Sequence, residues 1–186
     1  LQARIDSLQT RIRPHFLFNT LNSIASLIMS RPATAEKAVE DLAELFRATL
    51  KESRAPTTVQ DEIHLTRLYL GIEELRLGSR LQVHWDVDEQ TLGASMPTLV
   101  LQPLVENAVY HGISRLPQGG SVRIRIARKG EELAVSVDNP VPVAGATQKG
   151  NRMALANVAQ RLQAIYGPRA TLDVFPAEEH FRVELA

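Results

Sequence analysis

The chain has 186 residues, 44% hydrophobic and 23% charged, the texture of one or two globular domains. Its 21 basic residues balance 21 acidic ones, and this zero net charge argues against general nucleic-acid binding. Cysteine is absent, which excludes disulfides, zinc–thiolate sites and thiol catalysis. The longest apolar runs, such as the one around Leu99 to Leu101, fall far short of the roughly 20 residues that span a bilayer. No signal peptide is visible, and the first residue is Leu1 rather than methionine. The expectation is a cytoplasmic piece of a longer protein, tied to the bacterial inner membrane only through a part before Leu1.

Leu1, Ile5, Leu8 and Ile12 step by four, three and four, a seam of coiled-coil type. Leu17, Leu21, Ile24 and Ile28 form a second stripe, out of register with the first by one residue. Pro14 sits in the gap and predicts a kink, because proline removes a helical hydrogen bond. His15, Asn19, Asn22 and Ser26 share the opposite, polar side of the same helix. Arg31-Pro32 breaks the pattern. A second helix is expected from Ala33 to about Lys51, with Val39, Leu42, Leu45, Phe46 and Leu50 on its apolar side. Two such stripes make a small core, so a dimeric four-helix bundle is the natural completion.

A third helix is expected from Thr57 to about Leu77, capped by Thr58 with Asp61 three residues on and ended by Gly78-Ser79. Leu81 to Val87 alternates like a strand. Pro97 to Tyr110 reads as a helix with Leu101, Leu104, Val105 and Ala108 apolar. Ser121 to Ala127 alternates apolar and basic residues, and Lys129-Gly130 turns it into a partner strand, Glu132 to Asp138. A loop covers about Pro140 to Gly150. Met153 to Tyr166 is a helix stopped by Gly167-Pro168, and two strands close the chain near 170–175 and 180–185. The expected fold is α+β: a helical hairpin in residues 1–78, then a sandwich of one sheet under a few helices in residues 79–186.

Arg13 to Asn22 reads R-P-H-F-L-F-N-T-L-N, and Leu101 to Gly112 reads L-Q-P-L-V-E-N-A-V-Y-H-G. The first resembles the phosphoacceptor box of the LytS-type sensor histidine kinases, the branch that includes the AlgZ proteins of pseudomonads. The second resembles the N-box of their ATP-binding domain, the type shared with gyrase and MutL. Together the two boxes, in this order, extend the resemblance over nearly the whole chain. The resemblance implies a homodimer in which His15 accepts the γ-phosphoryl group of ATP. Imidazole suits that task, since one ring nitrogen keeps a lone pair at neutral pH. It also implies transfer to a response-regulator aspartate, the regulator being of the LytTR DNA-binding type, with no direct contact to nucleic acid by this chain.

The resemblance further implies that Asn107 ligates Mg2+ and that Glu106 polarises a water or the attacking nitrogen. His111 shares the face of Asn107, four residues on, and reaches a phosphate oxygen. By the same resemblance, Asp138 would accept from the adenine amino group. The resemblance places Gly150 at the phosphates, and Arg152 is expected to supply a charged contact there. Phosphoryl transfer asks mainly for such positioning and charge neutralisation.

Three departures stand out. The wider pattern D-x-G-x-G becomes Asp138-Asn139-Pro140-Val141-Pro142, with prolines that offer no N–H. The second glycine box keeps only Gly150, with Arg152 offering a charged contact in place of close backbone approach. The following Leu155 to Leu162 still reads L-A-N-V-A-Q-R-L, with Asn157 and Arg161 bracing the loop. Phe16 occupies the position after the acceptor where many histidine kinases carry an acidic base. An alternative function is therefore a nucleotide-weak module that binds, sequesters or promotes dephosphorylation of its regulator. A third is an ATPase of the gyrase kind, in which Glu106 activates water.

Overall fold

A computed structural model describes residues 14–50, 56–142, 149–176 and 180–185, with the backbone alone at 14, 149–154, 176 and 180–185. The seam from Leu1 to Ile12 lies outside the described residues, and so does the chain before Pro14 on which the expected kink depends. Helix α1 runs Pro14–Leu27 and α2 runs Pro32–Leu50. Proline at the start of α2 costs nothing, because the first helical N–H has no intrahelical acceptor.

The inward faces of both helices are turned from the expected ones. On α1, Thr20, Ile24 and Leu27 are buried, while Leu21 (47%) and Ile28 (54%) are exposed. Thr20 tolerates burial because its hydroxyl donates to the Phe16 carbonyl at 2.8 Å. On α2 the buried positions are Ala35, Ala38, Leu42 and Leu45, while Val39 (51%) and Leu50 (43%) face out. Each helix carries two apolar stripes, and only one of them meets the rest of the chain.

Strand β1, Thr57–Thr58, leads into α3, Val59–Leu77. Thr58 caps α3 as expected: Asp61 N–H donates to its hydroxyl at 3.1 Å, and that hydroxyl donates to Asp61 Oδ2 at 2.7 Å. These bonds, the Thr58 hydroxyl first, hold the Asp61 carboxyl below its ordinary value. Burial is distributed all round α3, which packs against α1 and α2 on one side and α4 on the other. It ends at Gly78, whose φ of 55° suits a residue without a Cβ.

Strand β2 is Leu81–Val87, β3 is Ser95–Met96, and α4 is Leu101–His111. Strands β4, Gly120–Lys129, and β5, Glu132–Pro140, form the expected hairpin. Helix α5 is Lys149–Tyr166, followed by β6, Leu172–Pro176, and β7, His180–Leu185. The main sheet has the order β2-β4-β5-β7-β6, with β2 parallel to β4 and every other pair antiparallel. β1 and β3 form a separate two-stranded ribbon. A Cβ at Gly119 would lie 2.0 Å from the Arg80 carbonyl oxygen, so the start of the β2–β4 pairing requires glycine there. On the inner face Val122, Ile124, Ile126, Val135 and Val137 are buried under the helices, in one apolar cluster that reaches from Ile24 to Leu162. Arg123 and Arg125 face the other way, as strand alternation demands.

Thr58→Ala should destabilise the protein by about 1 kcal/mol in urea unfolding at pH 7. A carboxyl with a lowered folded pKa stabilises above its unfolded value and loses that effect as pH falls through the folded one. The gap between wild type and Thr58→Ala should therefore narrow as the pH drops below the ordinary carboxylate range.

Candidate nucleotide and phosphoacceptor site

Helix α4 carries four of the residues singled out by sequence or by proximity: Glu106, Asn107, Tyr110 and His111. Its apolar positions Leu101, Leu104, Val105 and Ala108 are buried as expected. The helix begins four residues later than Pro97, after a turn in which Leu99 holds a φ of 55°. Val100 supplies no side-chain cap. The cap comes instead from another helix. Glu62 of α3, 1% exposed, accepts the N–H groups of Leu99 at 2.6 Å, Val100 at 2.9 Å and Leu101 at 3.0 Å. A carboxylate there also suits the positive end of the α4 dipole. Burial pushes the Glu62 carboxyl up, while the three N–H groups and the charge of Arg161 pull it back in part. Arg161 of α5 donates to the Thr98 hydroxyl at 2.7 Å, so the same turn is held from two sides.

Asn107 is 1% exposed, and its Oδ1 has no hydrogen-bond partner among the described residues. A buried amide oxygen without a donor is costly unless a ligand satisfies it. Oxygen is the donor that Mg2+ prefers, and Mg2+ commonly takes only one or two protein ligands beside phosphates and water. Asn107 thus fits the expected ion. Glu106, half-buried, accepts from Gln102 Nε2 at 2.8 Å. His111 stands edge-on to Tyr110, with ring centroids 4.9 Å apart. The helix closes at Gly112, where a Cβ would lie 2.2 Å from Nδ2 of the buried Asn139.

His15 is exposed and stands beside the last turn of α4. Its ring meets Tyr110 edge-on at 6.4 Å, and the Arg115 guanidinium lies 6.0 Å over the other ring's centroid. The neighbouring Phe16 packs on Tyr69 of α3 at 5.3 Å and anchors α1 there. His15 and helix α4, far apart in sequence, are thus adjacent within one chain.

Asp138 is placed apart from this group. Val137 and Asn139 point inward from β5, so Asp138 points outward, opposite Arg123 on β4 with the guanidinium 4.0 Å from its carboxylate. There it borders an open groove of about 560 Å³ with Asp86, Arg125 and Ser136. The structure does not bring Asp138 to Asn107; the sheet lies between them. The expected loop also begins late, because β5 stays paired with β7 through Asn139 and Pro140. Gly150 and Arg152 fall in the first turn of α5, and their side chains are outside the described ones. Sequence reasoning missed Glu62. Its one local signal was an acidic residue flanked by Val59, Ile63 and Thr66 on a buried arc, and a place in the first turn of α3 gave it a blander explanation.

Residues 3–81 match the histidine kinase family. The sensor histidine kinase YpdA of Escherichia coli is 34% identical over 176 residues, 89% of this chain and 31% of that protein. The sensor protein LytS of Staphylococcus epidermidis is 30% identical over 187 residues, 92% of this chain and 31% of that protein. The chain belongs to the sensor histidine kinases. It spans about a third of the length of these relatives. The histidine kinase domain of a blue-light-activated kinase from Erythrobacter litoralis shares the fold, with a TM-score of 0.50 at 20% identity, covering 97% of this chain and 90% of that one. Among the described residues no helix is long and apolar enough to cross a membrane.

The Glu62 cap fixes where helix α4 starts. Glu62→Ala leaves three N–H groups without their acceptor and should cost about 3 kcal/mol or more in chemical unfolding. Native-state hydrogen exchange should show the amides of Leu99, Val100 and Leu101 losing protection ahead of the sheet.

Proposed function

We propose that the chain is the cytoplasmic transmitter of a two-component sensor kinase, which phosphorylates its own His15 from Mg-ATP and passes the phosphoryl group to a response-regulator aspartate. The observation that carries this reading is the exposed His15 standing beside the α4 turn that follows Glu106 and Asn107. Asn107 is the residue that would hold Mg2+ through its unpartnered oxygen, and the ion when bound would neutralise phosphate charge. Glu106 is the proposed base, His111 a phosphate contact, and Gly150 and Arg152 the phosphate cradle. Residues 1–78 serve as the dimerising phosphoacceptor unit and residues 79–186 as the ATP-binding unit.

The second apolar stripe supports the dimer. Phe18, Leu21 and Ile28 on α1, with Val39 and Leu50 on α2, remain exposed in the single chain. A second copy would bury both stripes as a four-helix bundle. The regulator would dock on this hairpin beside His15, and a LytTR-type regulator is the proposed partner. Membrane attachment is proposed through sequence before Leu1.

A second reading has its own observation. Asp138 faces away from Asn107, opposite Arg123, and Pro140 is still paired within β5. A site built this way would hold adenine weakly, and the chain would then act by binding or dephosphorylating its regulator.

The deciding experiment mixes the chain with γ-labelled ATP and Mg2+. Acid-labile, alkali-stable label that disappears in His15→Gln is the expected result; a folded dimer without label favours the regulatory module. Separately, Mg-ADP at about 100 times its dissociation constant should stabilise the protein by about 2.7 kcal/mol. Asn107→Ala should remove most of that thermal shift while leaving the protein folded without nucleotide. An unchanged shift would exclude Asn107 from the site.

A further inference from the structure

Helix α4 buries a side-chain amide that has no task so far. Gln102 is 5% exposed, and its Oε1 has no hydrogen-bond partner among the described residues. Its Nε2 donates to Glu106 Oε1 at 2.8 Å. Residues four apart share a helix face, so this pairing is built into α4 itself. Such a pair contributes far less to a helix than a buried polar atom without a partner costs. Gln102 is therefore a net burden on the fold, and a methionine of similar length would fill its place without that burden. A bound cation explains the unpartnered oxygen of Asn107 but not that of Gln102. Residues five apart stand about 140° apart round a helix, and Glu106 lies on the arc between them.

We propose that Gln102 is a positioning residue whose buried amide holds the Glu106 carboxylate in a single rotamer. The inference rests on the reading of Glu106 as the base. A base acts only within hydrogen-bond reach of the group it serves. Glu106 is half-buried, and a side chain of that length has several staggered wells open to it. Gln102 has none to spare, because burial has already removed its rotamer freedom. It therefore restrains Glu106 with no further ordering at the moment of reaction. The amide donates only from its nitrogen; turned half round, it would set one oxygen against another. One orientation of the pair survives, and it leaves Oε1 where no donor meets it. The unpartnered oxygen is the consequence of the restraint, a local defect kept for function.

The test is a double-mutant cycle on the initial rate of His15 labelling from Mg-ATP, with urea unfolding beside it. Gln102→Met should lower the rate about tenfold at an unchanged KM, the worth of one hydrogen bond. In the Glu106→Gln background the same substitution should change nothing, because the group it acts through is gone. Unfolding should become no easier. Gln102→Met removes a buried unpartnered oxygen, so the unfolding equilibrium constant should stay level or fall by up to about tenfold. A glutamine kept only for the fold would give the opposite pattern, lost stability at an unchanged rate. Side-chain carbon NMR reads the restraint directly: Glu106 should hold one χ1 rotamer in wild type and average over several in Gln102→Met. An equal loss of rate in both backgrounds would overturn the proposal. So would a less stable Gln102→Met, or unchanged Glu106 rotamer populations. Labelling of Glu106→Gln at the wild-type rate would overturn the base reading alone; averaged Glu106 rotamers in Gln102→Met would then still support the restraint.

Discussion

The Glu62 carboxylate at the start of α4 is the contact on which the arrangement of the site depends. Helix α4 has no cap of its own, and the turn before it holds Leu99 at a positive φ that a branched side chain resists. Three N–H groups converge there because Glu62 draws them in. The consequence is geometric. Glu62 belongs to α3, and α3 also holds α1 through the Phe16–Tyr69 contact. A displacement of α3 therefore reaches both His15 and α4. Thr98, bonded to Arg161, adds α5 to the same junction.

Much of this fold was legible in local pattern. The Thr58 cap needs only Thr and Asp three apart, and the β4–β5 hairpin needs only alternation and a glycine turn. Both signals are complete within a few residues. The faces of α1 and α2 were harder, because each helix has two apolar stripes. Leu17, Leu21, Ile24 and Ile28 form a good heptad, yet only part of it turns inward. Periodicity says that a helix has an apolar side and does not say which neighbour covers it. Glu62 was illegible for a different reason: its partners are backbone groups 37 to 39 residues away, and backbone carries no sequence signature.

Asp138 shows the two kinds of reasoning in conflict. Family resemblance assigns it to adenine. Strand parity alone assigns it to the outer face: Val135 and Val137 are inward, so Asp138 must be outward unless a bulge resets the count. The β5–β7 pairing runs on without one through Asn139 and Pro140. The outward Asp138 follows from parity alone and keeps its carboxylate opposite Arg123, away from Asn107.

The residue after His15 can hold a base or an anchor, not both. Phe16 fixes the rotation of α1 by packing on the buried Tyr69. A residue one step away on a helix lies about 100° round, which is what turns His15 from that contact toward Tyr110. A carboxylate at position 16 would have to lie against Tyr69, where desolvation would cost several kcal/mol unless it were paired. With the anchor in place, polar help for His15 among the described residues comes from the next turn of its own helix or from α4. Asn19 and the end of α4 are where the structure offers it.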